Sequence, residues 1–289
     1  MSIDLKGTGV ALVTPFTKNN EVDYVALEKL VQHVISGGVN YLVVLGTTGE
    51  SVTLSKEEKK KVVAKVIAVN AGGLPVVLGL GGNHTAELLS ELKHTDLTGI
   101  DALLSVSPAY NRPSQEGIYQ HYAALAQKSP LPILLYNVPT RTGATVEVET
   151  TLRLAKEFKN IVAMKDASAG VQQCMDMLYG APEGFVVTSG DDSLALPMMA
   201  LGAQGLISVI ANAYPAETAA IVNAALKGDF ATARAMHYKL MPVMKVIFED
   251  GNPAGVKYFL HKLGLMENVL RLPLVSVKKE TAAKIDKMF

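Results

Sequence analysis

The feature that most constrains the fold is an alternation of strand-like and helix-like segments that recurs eight times. Each short apolar segment is rich in β-branched residues and is followed by Gly, Ser, Thr, Asn or Pro, then by helical spacing. The predicted strands cover residues 9–14, 41–45, 76–80, 102–106, 133–136, 161–165, 185–188 and 206–210. Segments that are apolar at every position are typical of parallel strands covered on both faces. Eight such units predict an α/β fold of the (β/α)8 TIM-barrel type.

Helix signals separate these strands and continue beyond the eighth. Residues 23–36 have apolar side chains on one face and end at a Gly-Gly pair, and Ser55 with Glu58 predicts a capping box at the start of another helix. After the last strand, helical spacing covers residues 216–226, 230–246 and 256–263 without a Pro-, Ser- or charge-rich linker. We therefore predict a catalytic barrel over residues 1–212 and a helical C-terminal extension over residues 213–289.

The alternative fold is a doubly wound open sheet. That fold needs a reversal of strand order, which a sequence does not display, and it usually has a glycine fingerprint after its first strand. Here the first predicted strand runs into Thr14-Pro15-Phe16. The sequence therefore favours the barrel.

Composition excludes several classes of partner. The chain has 27 Lys and Arg against 27 Asp and Glu, and this zero net charge argues against a nucleic-acid or anionic-membrane surface. The single cysteine, Cys174, excludes a disulfide framework and a cysteine zinc site. The first residues lack the basic and apolar regions of a signal peptide. We expect a cytoplasmic protein with no membrane or nucleic-acid partner.

Lys165 is the residue most indicative of chemistry, because it ends the apolar run of residues 161–164. Barrel enzymes place their active residues at the C-terminal ends of strands and in the loops that follow. A lysine that loses its proton in an apolar pocket becomes a nucleophile suited to Schiff-base chemistry. The alternative is a structural lysine that pairs with Asp166 or Asp191.

Three further strand ends carry polar groups that could serve a reaction at Lys165. Tyr136 ends the preceding strand, where a phenol beside an amine can relay protons or simply pack. Thr47 and Thr48 lie in a glycine-flanked turn that could hold a carboxylate or phosphate, or could be an ordinary turn. Arg141 follows Pro139 at the expected barrel mouth, where a guanidinium can bind a carboxylate or remain a surface charge.

Metal and cofactor signals are weak. The six histidines have no His-x-x-x-His spacing, and there is no complete dinucleotide or phosphate-loop fingerprint. Asp191 and Asp192 favour a cap for a helix beginning near Ser193 over a cation site, because no third ligand is evident. We expect neither a metal nor an organic cofactor.

Taken together, these segments resemble the dihydrodipicolinate synthase and N-acetylneuraminate lyase superfamily of Schiff-base barrels. The motifs that carry the resemblance are Gly46-Thr-Thr-Gly-Glu50, Tyr136-Asn-Val-Pro139, Lys165 and Ser189-Gly-Asp-Asp192. Two more, Tyr110-Asn-Arg-Pro113 and Pro139-Thr-Arg-Thr-Gly143, resemble the synthase branch. That branch implies a lyase of diaminopimelate and lysine biosynthesis, which condenses pyruvate with L-aspartate 4-semialdehyde to give 4-hydroxy-tetrahydrodipicolinate.

The resemblance also implies roles for single residues. Lys165 would form the imine with pyruvate, and Tyr136, Thr48 and Tyr110 would form a proton relay. Tyr110 would reach into the active site of a neighbouring subunit, within a homotetramer built from two tight dimers. The remaining implied roles concern substrate binding: Thr47 and Thr48 for the pyruvate carboxylate, Arg141 for the semialdehyde carboxylate, and the backbone of Gly190 and Ile207 for the shape of the site.

Two other functions are compatible with the same residues. One is a related pyruvate-dependent aldolase, such as N-acetylneuraminate or keto-deoxy-sugar lyase, in which the segment around Arg141 usually differs. The other is a barrel that binds a keto acid as a sensor without turning it over, for which a proton relay would be unnecessary.

One departure from the family bears on regulation. Members inhibited by lysine usually carry histidines on the helix after the Gly-Thr-Thr-Gly-Glu turn and a second tyrosine before the relay tyrosine. This chain has Lys56, Lys59 and Ala109 at those positions, although Ser51, Asn83 and Glu87 match the allosteric pattern. Because two added cations should repel a lysine ligand, we predict weak or absent feedback by lysine.

Overall fold

The eight strands form one closed barrel in a computed structural model of the chain, which describes residues 3–168 and 170–289. They are β1 Gly7–Ala11, β2 Tyr41–Val44, β3 Val76–Gly79, β4 Ala102–Val106, β5 Ile133–Asn137, β6 Ile161–Asp166, β7 Val186–Ser189 and β8 Gly205–Ser208. Each strand pairs in parallel with the next along the chain, and β8 closes on β1 with Ile207 opposite Gly9. The predicted barrel is confirmed, and the open sheet is excluded.

Side chains of each strand divide between two apolar clusters. Leu42 and Val44 of β2 face the layer between barrel and helices, whereas Val43 points into the barrel interior. Strand β5 divides in the same way, with Leu135 outside and Leu134 inside. Both faces of a strand are therefore buried, which is why the strand segments lack polar alternation.

A close pair of residues fills part of the barrel interior. Tyr41 is fully buried, and a Cβ placed on Gly9 would lie 2.2 Å from its ring. Since that distance is far below van der Waals contact, only glycine at this position of β1 leaves room for the aromatic ring. The barrel is thus a packed core rather than a pore.

Helices follow the strands and continue through the C-terminal region. They are α1 Tyr24–Ser36, α2 Lys56–Asn70, α3 Thr85–His94, α4 Gln115–Lys128, α5 Pro139–Thr142, α6 Val148–Glu157, α7 Val171–Gly180, α8 Ala195–Ala200, α9 Pro215–Leu226, α10 Phe230–Val246, α11 Ala254–Lys262 and α12 Lys279–Asp286. The capping box of Ser55 and Glu58 is confirmed, as is the start of α1 at its Asp23 cap. No helix in the described residues combines the length and apolarity needed to span a membrane.

Two strand predictions are wrong at their ends, because side chains replace backbone pairing there. After β1 the amide of Val13 donates to the Asn212 side chain, so the strand ends at Ala11 instead of residue 14. After β8 the amides of Val209 and Ile210 donate to the Asp192 carboxylate, and a 3-10 turn replaces the predicted continuation to residue 210.

Two helix predictions also need correction. Helix α8 begins at Ala195, and Asp191 bonds to the amides of Ser193 and Leu194 in the turn before it. Asp192 does not cap this helix, because its carboxylate is buried against the end of β8. The final helix, α12, was not predicted from the sequence.

Candidate active site

Lys165 and Tyr136 lie side by side at the mouth of the barrel. They are register partners at the ends of β6 and β5, and the Lys165 ammonium lies 4.2 Å from the centroid of the Tyr136 ring. Both side chains are buried, with relative exposures of 6% and 7%. The predicted proximity of these two residues is confirmed.

No carboxylate of the described residues forms an ion pair with Lys165. The Asp166 carboxylate, next along β6, instead accepts hydrogen bonds from the Asn137 side chain at 3.0 Å and the Ser168 hydroxyl at 2.9 Å. Asp191 is engaged in the turn before α8 through Ser193, at 2.8 Å. The alternative of a lysine paired with Asp166 or Asp191 is therefore not supported by the structure.

Gly190 gives the Lys165 side chain its space. A Cβ at Gly190 would lie 3.0 Å from Cε of Lys165 and 2.9 Å from the Ala167 Cβ. The Gly190 amide donates to the Asp166 carbonyl at 2.7 Å, which fixes the chain against β6. Ile207, the other residue predicted to shape the site, is buried in the barrel interior on β8.

Thr48 lies in a 3-10 turn, Thr47–Gly49, that follows β2. Its side chain is buried, and its hydroxyl accepts a hydrogen bond from Asn252 Nδ2 at 2.9 Å. The Thr14 hydroxyl donates to the Gly49 carbonyl at 2.7 Å, so the turn is also held from the end of β1. Thr47, by contrast, is exposed.

A buried ion pair holds the residue that ends this turn. The Glu50 carboxylate contacts the Lys257 ammonium of α11, and both side chains are fully buried. Glu50 also accepts the backbone amide of Arg271 at 3.1 Å, and Lys257 donates to the Val269 carbonyl at 2.9 Å. Burial lowers the pKa of Lys257 to about 8, while the Glu50 charge opposes that change. The C-terminal region therefore anchors the Thr48 turn.

Arg271 extends this anchor to the helix after the turn. Its guanidinium donates to the Thr53 carbonyl at 3.0 Å and to the Glu58 carboxylate at 2.9 Å. The hydrogen bonding of Arg271 to the Glu58 carboxylate lowers the pKa of that group to about 2. Lys257 and Arg271 both lie over the Phe16 ring, at 4.1 and 4.4 Å from its centroid.

Tyr110 and Arg141 lie on the exposed side of the mouth. Tyr110 is 93% exposed and has a positive φ of 68°, a conformation that non-glycine residues rarely adopt. Its backbone amide donates to the Thr142 carbonyl at 3.0 Å. Arg141 is exposed in α5, and within residues 3–168 and 170–289 its guanidinium has no hydrogen-bond partner.

Asp192 holds the end of β8, the strand that carries Ile207. Its carboxylate accepts from the Ser208 hydroxyl and from the Val209 amide at 3.1 Å, while being only 1% exposed. Burial raises the pKa of Asp192 to about 6, and these hydrogen bonds oppose that rise.

Other regions of the described chain offer weaker candidates. No group of three or more His, Cys, Asp or Glu side chains is arranged to hold a metal ion among the described residues. A cavity of about 430 Å³ lies at the opposite, N-terminal end of the barrel, between Leu5, Pro132 and Val186. Active residues of such barrels come from the C-terminal end, so this cavity does not compete with the Lys165 site.

Sequence reasoning missed the contributors from the C-terminal region, Asn252, Lys257 and Arg271. Asn252 lies in a Gly-Asn-Pro segment that has the composition of an ordinary turn, so nothing local indicates its contact with Thr48. Lys257 did leave a signal, because it is a lone basic residue among the apolar positions of its helix. A buried lysine needs a partner, and that requirement points to an acidic residue elsewhere in the fold.

Nearly the whole chain matches a known protein family. A sequence model of the Dihydrodipicolinate synthetase family matches residues 4–289, which include every strand and helix described above. The chain belongs to this family. The resemblance inferred from the Lys165, Tyr136 and Gly-Thr-Thr-Gly-Glu motifs is thereby confirmed, and the dihydrodipicolinate synthetase family accounts for both the barrel and its C-terminal helices.

Individual family members are similar over nearly their full lengths. A 4-hydroxy-tetrahydrodipicolinate synthase of Flavobacterium psychrophilum is 51% identical over 280 residues, covering 97% of this chain and 96% of that protein. A chloride-inhibited dihydrodipicolinate synthase of Acinetobacter baumannii, solved with pyruvate, has a TM-score of 0.95 and 39% identity, covering 98% and 97% of the two chains. A monomeric dihydrodipicolinate synthase variant has a TM-score of 0.95 and 38% identity, covering 98% and 95%.

Proposed function

We propose that this protein condenses pyruvate with L-aspartate 4-semialdehyde to form 4-hydroxy-tetrahydrodipicolinate, a step of diaminopimelate and lysine biosynthesis. The observation that carries the proposal is Lys165, a buried lysine without a carboxylate partner in the described residues, beside the Tyr136 ring. The chain that contains this lysine is 51% identical to a relative named 4-hydroxy-tetrahydrodipicolinate synthase. A lysine in this setting suits imine formation rather than charge pairing.

Lys165 would act as the nucleophile. Its neutral amine attacks the keto carbon of pyruvate, and loss of water leaves an imine that joins Nζ to that carbon. Removal of a methyl proton then gives an enamine, whose carbon attacks the aldehyde of the second substrate. The amine of that substrate displaces Lys165 by transimination, which closes the ring and frees the enzyme. The amine comes from the protein itself, so the proposed chemistry needs no cofactor.

Tyr136, Thr48 and Tyr110 would carry protons to and from these intermediates. The position of the Tyr136 phenol ring against Lys165 supports this role, because a general acid or base must lie close to the reacting atoms. The hydrogen bond from Asn252 to Thr48 supports a fixed orientation for the Thr48 hydroxyl, the second member of the relay. Tyr110 would complete the relay from a neighbouring subunit.

The remaining site residues would bind the two substrates. Thr47 and Thr48 would hold the pyruvate carboxylate, with the backbone of Gly190 and Ile207 shaping the pocket around the imine. Arg141 would bind the carboxylate of the semialdehyde, and its exposed guanidinium has the planar donors that suit such a ligand. These assignments rest on the family pattern together with the location of all five residues around one end of the barrel.

We propose a homotetramer built from two dimers, located in the cytoplasm. An aromatic side chain that is 93% exposed at Tyr110 supports a partner across the mouth. A second apolar face, formed by Val171, Met175 and Tyr179 of α7, supports another contact between subunits. Sedimentation velocity tests this proposal: a tetramer is expected, and a monomer, the state described for one dihydrodipicolinate synthase variant, would contradict it.

The test combines trapping with a substrate panel. Borohydride added with pyruvate should leave a stable adduct on the Lys165 peptide and none on Lys165→Arg, as read by mass spectrometry. Turnover should require L-aspartate 4-semialdehyde, and neither N-acetylneuraminate nor keto-deoxygluconate should be cleaved. Absence of the adduct would reject every Schiff-base assignment, cleavage of a sugar acid would indicate an aldolase, and an adduct without any turnover would indicate a sensor.

A further inference from the structure

The proposed relay residue Thr48 is contacted by a side chain from outside the barrel. Asn252 lies in the turn between α10 and α11, 204 residues further along the chain, and its Nδ2 donates to Thr48 Oγ1 at 2.9 Å. We propose that Asn252 is a positioning residue that sets the direction of the Thr48 hydroxyl proton. This inference rests on the proposed function, because it requires Thr48 to be a member of the proton relay.

The chemistry of the two groups defines that direction. A threonine hydroxyl has one proton to donate and two lone pairs that accept, whereas an amide NH2 only donates. The Thr48 oxygen uses one lone pair to accept from Asn252, which lies in the C-terminal region. The hydroxyl proton of Thr48 is therefore available to a different acceptor. A hydroxyl that could rotate freely would sample other directions and lose part of its efficiency in proton transfer.

The turn that carries Asn252 is held firmly in place. A Cβ at Gly255 would lie 2.0 Å from the Ile247 carbonyl oxygen, so the start of α11 packs directly on the residue that follows α10. Five residues beyond Asn252, Lys257 forms the buried ion pair with Glu50. The C-terminal region thus contacts the Thr48 turn at both residue 48 and residue 50, which fixes the amide relative to the hydroxyl.

An orphaned atom argues that the Asn252 amide has more than a space-filling role. Its Oδ1 is buried and has no hydrogen-bond partner among residues 3–168 and 170–289. Leaving a buried polar atom unpaired is unfavourable, and an apolar side chain would avoid that cost. The cost is understandable if the opposite end of the amide is needed as a donor to Thr48.

Two substitutions separate positioning from structural support. Asn252→Asp keeps the shape but offers only acceptors when ionised, so it should attract the Thr48 proton in the wrong direction and lower kcat about 100-fold, within the usual range for a lost proton-transfer group. Asn252→Ala removes the donor without replacing it and should lower kcat only about 10-fold, the rate equivalent of one lost neutral hydrogen bond. Structural support predicts instead that both losses are the same whether or not the Thr48 hydroxyl is present, because they would not act through it.

The decisive measurement repeats both substitutions in a Thr48→Val background. There the hydroxyl is absent, and neither change at Asn252 should reduce kcat further. Asn223→Asp, at an exposed position of α9, controls for the added charge and should leave kcat unchanged. If Asn252→Asp does not fold, as judged by circular dichroism, the Asn252→Ala and Thr48→Val pair decides alone.

Failure of this inference differs from failure of the proposed function. Equal losses from Asn252→Ala in the wild-type and Thr48→Val backgrounds would overturn the positioning role while leaving the synthase intact. A wild-type protein that forms no borohydride-stable adduct with pyruvate would overturn the synthase itself. The adduct on Asn252→Ala, given long incubation with pyruvate, should reach the wild-type level, because the variant slows proton transfer without removing Lys165.

Discussion

The Thr48 turn and the Tyr110 loop carry two members of one proposed relay, yet they are stabilised in opposite ways. Thr48 is buried, accepts from Asn252 and precedes the Glu50–Lys257 ion pair. Tyr110 is 93% exposed and has a positive φ, and within the described residues only its backbone is hydrogen-bonded, to Thr142. The contrast teaches that the chain itself organises the Thr48 half of the proposed relay, whereas the Tyr110 half would depend on a second copy if the proposed dimer forms.

The largest expected effect comes from removing the hydroxyl of Tyr110, which is the exposed half of the proposed relay. Tyr110→Phe should lower kcat roughly 10²- to 10⁴-fold, the usual contribution of a positioned proton donor or acceptor. The free energy of unfolding of the monomer should not change, because the hydroxyl is exposed. Steady-state kinetics with both substrates and urea unfolding would measure the two quantities.

Mixed assemblies sharpen the same comparison. Co-expressed Tyr110→Phe and Lys165→Ala chains form dimers in which one site has Lys165 from one chain and Tyr110 from the other. If the tyrosine acts across the interface, random pairing should restore about one quarter of wild-type activity. A mixture no more active than its separate components would place Tyr110 in its own subunit or outside the relay.

The next effect comes from weakening the anchored half. Lys257→Met leaves the Glu50 carboxylate buried without its partner, which should lower the free energy of unfolding by about 3–5 kcal/mol and reduce kcat as the Thr48 turn loosens. Lys284→Met is the matched control, because its ion pair with Glu249 is exposed and should contribute less than about 1 kcal/mol. Adding Glu50→Gln to Lys257→Met should recover much of the stability; a double variant as unstable as the single one would contradict the buried-charge explanation.

Asp192 is a buried carboxylate that is held by hydrogen bonds instead of a cation. Its protonation should therefore make the free energy of unfolding depend on pH. Because burial raises its pKa to about 6 in the folded protein, from 3.8 when exposed, the folded state retains a proton that the unfolded state releases. Wild-type stability relative to Asp192→Asn should consequently fall as pH rises from about 4 to about 6.5, by at most about 3 kcal/mol. Urea unfolding at fixed protein concentration measures this, and a difference that is flat or rises with pH would exclude it.

The smallest expected effect concerns residues that flank the two halves in the sequence. Lys56 and Lys59 lie on the helix after the Thr48 turn, and Ala109 precedes Tyr110 with its amide bonded to Asn83 at 2.7 Å. Because the two cations should repel the ligand, millimolar L-lysine should change the steady-state rate by less than about twofold. Inhibition at micromolar lysine, as tested beside a lysine-sensitive family member, would refute the prediction.

Much of the fold and the central pair of site residues could be predicted from local patterns. Consecutive parallel strands place their C-terminal ends at one mouth, so chain order alone brought Tyr136 beside Lys165. The strand ends near residues 11 and 208 could not be predicted, because Asn212 and Asp192 replace the backbone partners there. Side-chain capping across the barrel depends on tertiary structure that hydrophobic periodicity does not describe.

The contact from Asn252 to Thr48 was also beyond local inference, although Lys257 left a signal in its helix. The bond from Asn252 to Thr48 joins residues 204 positions apart, and no spacing rule connects them. The division between a barrel of residues 1–212 and an extension of residues 213–289 stays a prediction. Contacts from Asn252, Lys257 and Arg271 to the Thr48 turn nevertheless give the extension a direct link to the proposed chemistry.

The packing of Gly9 against Tyr41 has a consequence for how such barrels diverge. A methyl group at Gly9 would overlap the ring, whereas a small residue at Tyr41 would leave a cavity in the barrel interior. Neither position can change alone without a loss of stability, so a lineage must exchange the two together. Among relatives, we therefore expect a larger side chain at the first position to accompany a smaller one at the second.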